Sequence, residues 1–530
     1  MKIDKKQINN NFIIFFIIAF VYAIGNFIWW INNTPVITFG ISSVHFLDIF
    51  QKGWLFYNAP LVTWVMRVMF YIFGKEYYDL IIIFVNYIFF LIPLYFIYKI
   101  GAELKDKETG NIAMILFALV PAVYGMSRQY GHKDYHLIAA VTFNIYCLIK
   151  TDYFKDRKWS IWYGISVGLG LLVKDSFLAY FFMPFIYIVI AGLQKDTDKT
   201  KIINIFISIV LGSLIAGWHY FRPEIIQKIW YEPITEPRPI FNFESLRVMT
   251  IGLWEELLSP PIFIIFVIGL IYFIWKYKGK YKNIVLLWFF VPWLIIMLMF
   301  HYKLPEFGAG FIPAMILIGA ILITVVRKLY IKKILVFFLI TIGVFQYIQF
   351  SYSSVIKIMN MKLKINGYII SYYDKYNPLI VSNKKQAELI LKLTHYFKNN
   401  YHKSTFFIDQ PCIVLDKYDI AAQIFLNDIP YCQWISDESN IFLADIIIVI
   451  GVPKTIEEKK QYVMKQILIN PIQSKMFSEE AKNTVIKKTE YIFSQIKKQY
   501  CQIDMIYLEE NNQNFKVTLL GRKDKFQQFF

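Results

Sequence analysis

A multi-pass α-helical membrane protein of about 11 transmembrane helices, followed by a soluble α/β domain, is the architecture this sequence predicts. Hydrophobic residues fill 57% of the 530 positions and charged residues 18%, against the roughly 25% charged of ordinary globular domains. Mean hydropathy is +0.45, so most of the chain is solvated by something other than water. Apolar stretches of span length recur between residues 12 and 350, and the periodicity becomes mixed beyond them. The 4 cysteines form no CxxC pair, which excludes a zinc ribbon or a dense disulfide framework.

The expected spans cover residues 12–31, 79–100, 111–127, 135–150, 160–174, 176–193, 202–221, 261–276, 283–301, 311–326 and 334–350. The first follows a basic start, as a signal peptide would, but its apolar run is too long and ends in Trp29-Trp30 without a small-residue cleavage site. It reads as a retained helix with an interfacial tryptophan belt. Lys174-Asp175 interrupts the apolar run 160–193. Two charges in mid-bilayer cost several kcal/mol, so a hairpin that leaves them at the water interface is the cheaper solution.

The loop charges give an orientation. With the N-terminus inside, six short inner segments hold 21 Lys and Arg, while the much longer outer segments hold 11. This asymmetry is the positive-inside pattern. It assigns most of the net charge of +18 to topology and to anionic inner-leaflet lipid, and excludes nucleic acid as the partner. The reading is a cell (inner, cytoplasmic) membrane protein with a cytoplasmic N-terminus. Its polytopic domain spans 1–350, and its C-terminal domain, 351–530, is extracytoplasmic. In that domain, helical patterns at 383–399, 456–469 and 478–499 alternate with strands at 404–408 and 446–450, and 503–508 pairs with 515–520.

Two outer loops are long, 32–78 and 222–260, and long loops in compact domains are commonly functional. Within the first, apolar residues recur at helical spacing between Pro60 and Gly74, with Arg67 among them. This segment is too short to span comfortably and reads as a helix lying in the outer interface. The second carries Trp230, Tyr231 and several prolines, suited to sugar stacking or to an interfacial belt.

Taken together, these features resemble the polytopic GT-C glycosyltransferases, specifically the family-39, protein-mannosyltransferase-like group that includes the aminoarabinose transferases. Tyr57-Asn58-Ala59-Pro60-Leu61 leading to Phe73-Gly74 resembles the group's interfacial helix. Residues 113–121, running on to His132-Lys133-Asp134, resemble its third span. The glycine-rich run 164–174 resembles a helix ending in Lys, and Lys303-Leu304-Pro305 through Phe311-Ile312-Pro313 resembles its late luminal turn. The resemblance implies a GT-C-like fold and a polyprenyl-phosphate-sugar donor, with a glycan, lipid or protein as acceptor.

Chemistry of that kind needs cations where phosphate charge develops and a base for the acceptor. Lys174 is the first phosphate candidate; a snorkelling interfacial lysine is the alternative. Arg128, Lys133, Arg67, His132 and Tyr57 complete the substrate-binding candidates. Asp134 is the catalytic acid favoured by position, with helix capping as its alternative. His132, His136 and His45 together with Asp134 admit a divalent cation, although their spacing matches no firm ligand motif. The group's first-loop acidic pair is missing: Ile41-Ser42 stands there, ahead of His45. Asp48 or His45 would have to replace it. Otherwise the chain is a non-catalytic scaffold or lipid-phosphate-binding subunit. A secondary transporter is the third reading, disfavoured by the lack of paired inverted repeats.

Overall fold

The computed structural model describes residues 5–33, 58–74, 77–128, 133–195, 198–226, 246, 249–299 and 305–351, and beyond these a set of strands between 362 and 522. The chain divides into two compact units, Met1–Asn32 with Asp48–Val381, and Asn33–Leu47 with Ser382–Phe530.

The first unit is a helical bundle. It opens with α1 (Lys5–Asn33) and α2 (Leu61–Phe73). Then come α3 (Tyr78–Leu104), α4 (Lys107–Ala118), α5 (Pro121–Met126) and α6 (Lys133–Lys150). Next are α7 (Arg157–Val173), α8 (Phe177–Lys195), α9 (Lys199–Tyr220) and the single turn α10 (Pro223–Ile226). A π-helical turn (Leu253–Leu258) leads into α11 (Pro260–Trp275) and α12 (Lys282–Met299). A 3-10 turn (Pro305–Phe311) then leads into α13 (Ile312–Val325) and α14 (Leu329–Ser351).

Each of the eleven expected stretches falls on helix over most of its described residues. Among the described residues, six helices are long and apolar enough to cross a bilayer: Ile13–Ile31, Leu80–Leu104, Phe177–Gln194, Lys199–Tyr220, Phe307–Val325 and Leu329–Ile348. The other five stretches fall on helices of 16 to 18 residues or on the broken α4–α5 pair. That break differs from the single span expected over 111–127. Pro121 lacks the N–H that a continuous helix would need and instead starts α5 at its first position.

α13 is buried almost throughout, whereas α1, α9 and α14 expose rows of large apolar side chains such as Phe20, Leu214 and Phe337. Such rows suit hydrocarbon rather than water. α7 and α9 approach closely because α7 is glycine-rich on that face. A Cβ on Gly164 would sit 2.6 Å from the Ser208 carbonyl oxygen, and one on Gly168 2.5 Å from Ile215 Cβ. The Ser208 hydroxyl also donates to the Ser160 carbonyl at 2.7 Å. Small residues at such crossings let backbones meet in lipid, where packing drives association.

The segment expected to lie in the interface is α2. Pro60 precedes it, and Gly74, at φ 91°, ends it with an N–H bond to the Phe70 carbonyl. Val62, Thr63, Met66 and Phe70 face inward, while Tyr71, Ile72 and Phe73 are exposed. Trp64 stacks on Trp218 of α9, with ring centroids 5.2 Å apart. After α14, β1 (Lys362–Ile365) and β2 (Tyr368–Ser371) form an antiparallel pair.

The second unit contains a mixed five-stranded sheet in the order β4-β3-β5-β7-β6. β3 (Thr405–Asp409) runs parallel to β4 (Gln433–Trp434) and to β5 (Ile446–Ile450). β7 (Gln513–Arg522) is antiparallel to β5 and to β6 (Tyr500–Glu510). β5 is a run of β-branched residues, which favour the pleated strand backbone. The helices expected at 383–399, 456–469 and 478–499 lie outside the described residues.

Candidate functional site

α6 and α7 are packed neighbours, and the first turn of α6 meets the chain just beyond the last turn of α7. Asp134 sits in that first turn, where the helix dipole favours a carboxylate; Lys174 caps the C-terminus of α7, where it favours a cation. Lys174 adopts an extended backbone and holds the turn to α8, its carbonyl accepting from the Phe177 N–H at 3.0 Å. The Lys174 Nζ donates to Asp134 Oδ1 at 2.5 Å, with the two side chains 21% and 9% exposed.

The 3-10 turn forms one wall. The Lys174 ammonium lies 5.1 Å from the centroid of the Phe307 ring. The Tyr180 hydroxyl of α8 donates to the Phe307 carbonyl, and Trp288 Nε1 of α12 donates to the Gly310 carbonyl at 2.9 Å. The ammonium therefore stands between a carboxylate and an aromatic face. An ion pair removed this far from water gains Coulomb energy, and deleting one partner leaves the other charge uncompensated.

Around the pair, buried polar contacts fix the start of α6. Lys133 Nζ donates to the Ala59 carbonyl at 2.9 Å, tying α6 to the entry of α2. Buried Asn86 of α3 is a hub: its Nδ2 donates to the Ser127 carbonyl at 2.9 Å, and its carbonyl accepts from the Tyr135 hydroxyl at 3.1 Å. Its Oδ1 lies 2.9 Å from His136 Nε2, so that ring nitrogen carries the hydrogen.

Of the residues singled out in the sequence, the structure brings Asp134 and Lys174 into contact and seats Lys133 against the start of α2. Arg67 is half-buried on α2. Arg128 is fully buried, donating from Nε to Asn26 Oδ1 at 3.0 Å and from Nη2 to the Tyr347 hydroxyl at 3.2 Å. Its destination is thus α1 and α14. Asp48, His45, His132 and Tyr57 lie outside the described residues. Among the described residues no group of three His, Cys, Asp or Glu side chains could hold a metal ion, and the Asp134 carboxylate faces an ammonium. The described members of the cation set, Asp134 and His136, are engaged with Lys174 and Asn86.

Phe307, Tyr180 and Asn86 escaped the sequence reading. Phe307 alone had a usable signal, standing two residues beyond Pro305 in the late luminal turn.

The sequence pattern of the dolichyl-phosphate-mannose-protein mannosyltransferase family matches residues 57–219, the segment that carries Asp134 and Lys174. No curated protein matches the chain by sequence. Among solved structures, the apo form of ArnT from Cupriavidus metallidurans is similar, with a TM-score of 0.57 at 9% identity, covering 97% of this chain and 98% of that one. The same protein bound to undecaprenyl phosphate gives 0.54 at 8% identity, over 96% and 97%. The archaeal oligosaccharyltransferase AglB from Archaeoglobus fulgidus, in complex with an inhibitory peptide and a dolichol-phosphate, gives 0.52 at 10% identity, over 96% and 74%. At these identities the likeness is one of fold.

Proposed function

We propose that this chain, a protein-mannosyltransferase and ArnT-like member of the GT-C superfamily, transfers a sugar from a polyprenyl-phosphate-linked donor to an acceptor on the extracytoplasmic face of the cell membrane. The observation that carries the reading is the Lys174–Asp134 pair, set at a common end of α6 and α7 beside the α2 entry. The complexes of ArnT with undecaprenyl phosphate and of AglB with dolichol-phosphate support a lipid phosphate as the ligand.

In the reaction, an acceptor oxygen or nitrogen forms a bond to the anomeric carbon. The bond from that carbon to the phosphate oxygen breaks, and its electron pair leaves with the lipid phosphate. The acceptor's proton passes to a base. Lys174, with three ammonium hydrogens, has donors for both Asp134 and a phosphate oxygen, and a preset cation stabilises the charge as it develops. Asp134 holds that ammonium in place and is a candidate base together with Asp48 and His45. The interfacial α2 lines the approach of the lipid.

Transfer of radiolabelled sugar from polyprenyl-phosphate donors by the purified full chain tests this. The wild type is expected to turn over and Lys174→Ala to lose about 10²-fold or more in rate. Donor binding without turnover in the wild type would instead favour the non-catalytic subunit, in keeping with Ile41-Ser42 standing where the group has its acidic pair.

A further inference from the structure

Arg128 presents an unbalanced account of charge. The guanidinium is always protonated in proteins, and here its side chain is fully buried. Among the described residues no Asp or Glu pairs with it. The described groups around it are neutral: the rings of Trp29, Tyr347 and Tyr124 have centroids 5.3, 5.4 and 6.0 Å from its Cζ, and Asn26 accepts from Nε. Ring faces and one amide oxygen offset part of the desolvation cost but leave the net charge of one uncompensated.

The hydrogen bonding is unbalanced in the same direction. Arg128 Nη1, Asn26 Nδ2 and the Tyr22 hydroxyl are all buried and lack a partner among the described residues. Asn26 and Tyr22 are themselves 1% and 3% exposed. Because Asn26 Oδ1 is committed to Arg128 Nε, its amide N–H groups face elsewhere with nothing to accept them. Tyr22 lies one helical turn before Asn26 on the same face of α1, within electrostatic reach of the guanidinium. Three buried donors and one buried positive charge are short of an acceptor that carries negative charge.

The sequence builds this cage deliberately close. A Cβ at Gly25 would fall 1.9 Å from the Tyr347 hydroxyl, so glycine is what lets α14 bring that hydroxyl against α1. The Tyr22 ring is fixed in turn by stacking on Phe90 of α3, with centroids 3.8 Å apart and planes 8° from parallel. α1, α3, α14 and the end of α5 therefore all contribute rigid walls.

We propose that this cage is an anion site, separate from the Lys174–Asp134 pair, in which Arg128 Nη1, Asn26 Nδ2 and the Tyr22 hydroxyl donate to one anionic acceptor. The ligand is a halide-sized anion or an oxygen of an anionic phosphate. A water molecule would accept hydrogen bonds there without neutralising the charge.

Thermal unfolding of the full chain in detergent, at constant ionic strength, tests the site. Sodium gluconate is replaced stepwise by chloride, bromide or inorganic phosphate, and a separate arm adds undecaprenyl phosphate in gluconate. The expected result is a saturable rise in midpoint with at least one of these ligands, as binding to the native state requires. A response to an inorganic anion identifies a free ion as the source; a response to the lipid alone that persists in Lys174→Ala identifies a headgroup. Tyr22→Phe should raise the half-saturating concentration about tenfold, the effect of one charge-assisted hydrogen bond. Asn26→Asp places a carboxylate beside Arg128 and should abolish the response to inorganic anions while the protein stays folded; Lys174→Ala should retain it. A wild-type midpoint indifferent to all four ligands would overturn the proposal, as would a full inorganic-anion response in Asn26→Asp, its loss in Lys174→Ala, or a lipid-only response that Lys174→Ala abolishes.

Discussion

The two ends of the α6–α7 pair carry the same kinds of charge in opposite surroundings. At one end Lys174 meets Asp134 with side chains 21% and 9% exposed, against the Phe307 ring. At the other, Lys150 meets Glu103 at 2.9 Å with 32% and 38% exposed, and Lys280 meets Asp152 at 2.6 Å with both 49% exposed. These exposed pairs border an open cavity of about 500 Å³ that Trp159 and Tyr281 also line. Along an 18-residue helix the two ends stand about 27 Å apart. Geometry is similar at both ends; solvent is not. Water and salt screen the exposed pairs, whereas the enclosed pair keeps its field and can act on a third charge.

Substitutions at the two ends are expected to separate accordingly. Asp134→Ala should have the largest effect, lowering sugar transfer by about 10²- to 10³-fold, because it strands the Lys174 ammonium and removes the group that positions it. Initial rates at saturating donor measure this, and a rate within a factor of two of wild type would break the contrast. Gly164→Val should come next. It pushes α7 off α9 and costs about 1–3 kcal/mol through overpacking, seen as a lower melting midpoint and a loss of monodisperse protein on gel filtration. Trp64→Ala should remove the stack on Trp218 that holds α2 against α9, a contact worth about 0.5–1.5 kcal/mol beyond its buried area. Its readout is faster proteolysis near α2, with little change at the other end of the bundle. The smallest effect is expected for Lys150→Ala. Losing an exposed pair should shift stability by under about 1 kcal/mol and leave transfer unchanged.

The helices of the first unit were legible because burial in lipid writes itself into composition: long apolar runs, short basic loops between them and Pro60 and Gly74 around α2. The break at Pro121 was present in the sequence, yet an apolar run continuing on both sides disguised it. Placing Asp134 and Lys174 on one side of the membrane required only counting spans. Their contact depends on how α6 packs against α7, and the Phe307 wall comes from a turn more than 130 residues further on, which no local periodicity reports. Arg128 illustrates the limit. Read in the sequence as a candidate cation for substrate, it has partners, Asn26 and Tyr347, that lie 102 and 219 positions away in the chain. In the second unit, β5 announced itself through consecutive β-branched residues and the β6–β7 pair through alternation around Asn511-Asn512. Strand order, with β7 between β5 and β6, did not.

Equilibrium binding of radiolabelled undecaprenyl phosphate to the purified chain, compared across wild type, Lys174→Gln and Lys150→Gln, is the most direct test of the central claim. The enclosed-pair account predicts at least about a tenfold weaker affinity for Lys174→Gln, the scale of one lost charge-assisted contact, and no change for Lys150→Gln. Equal affinity in all three proteins would contradict it.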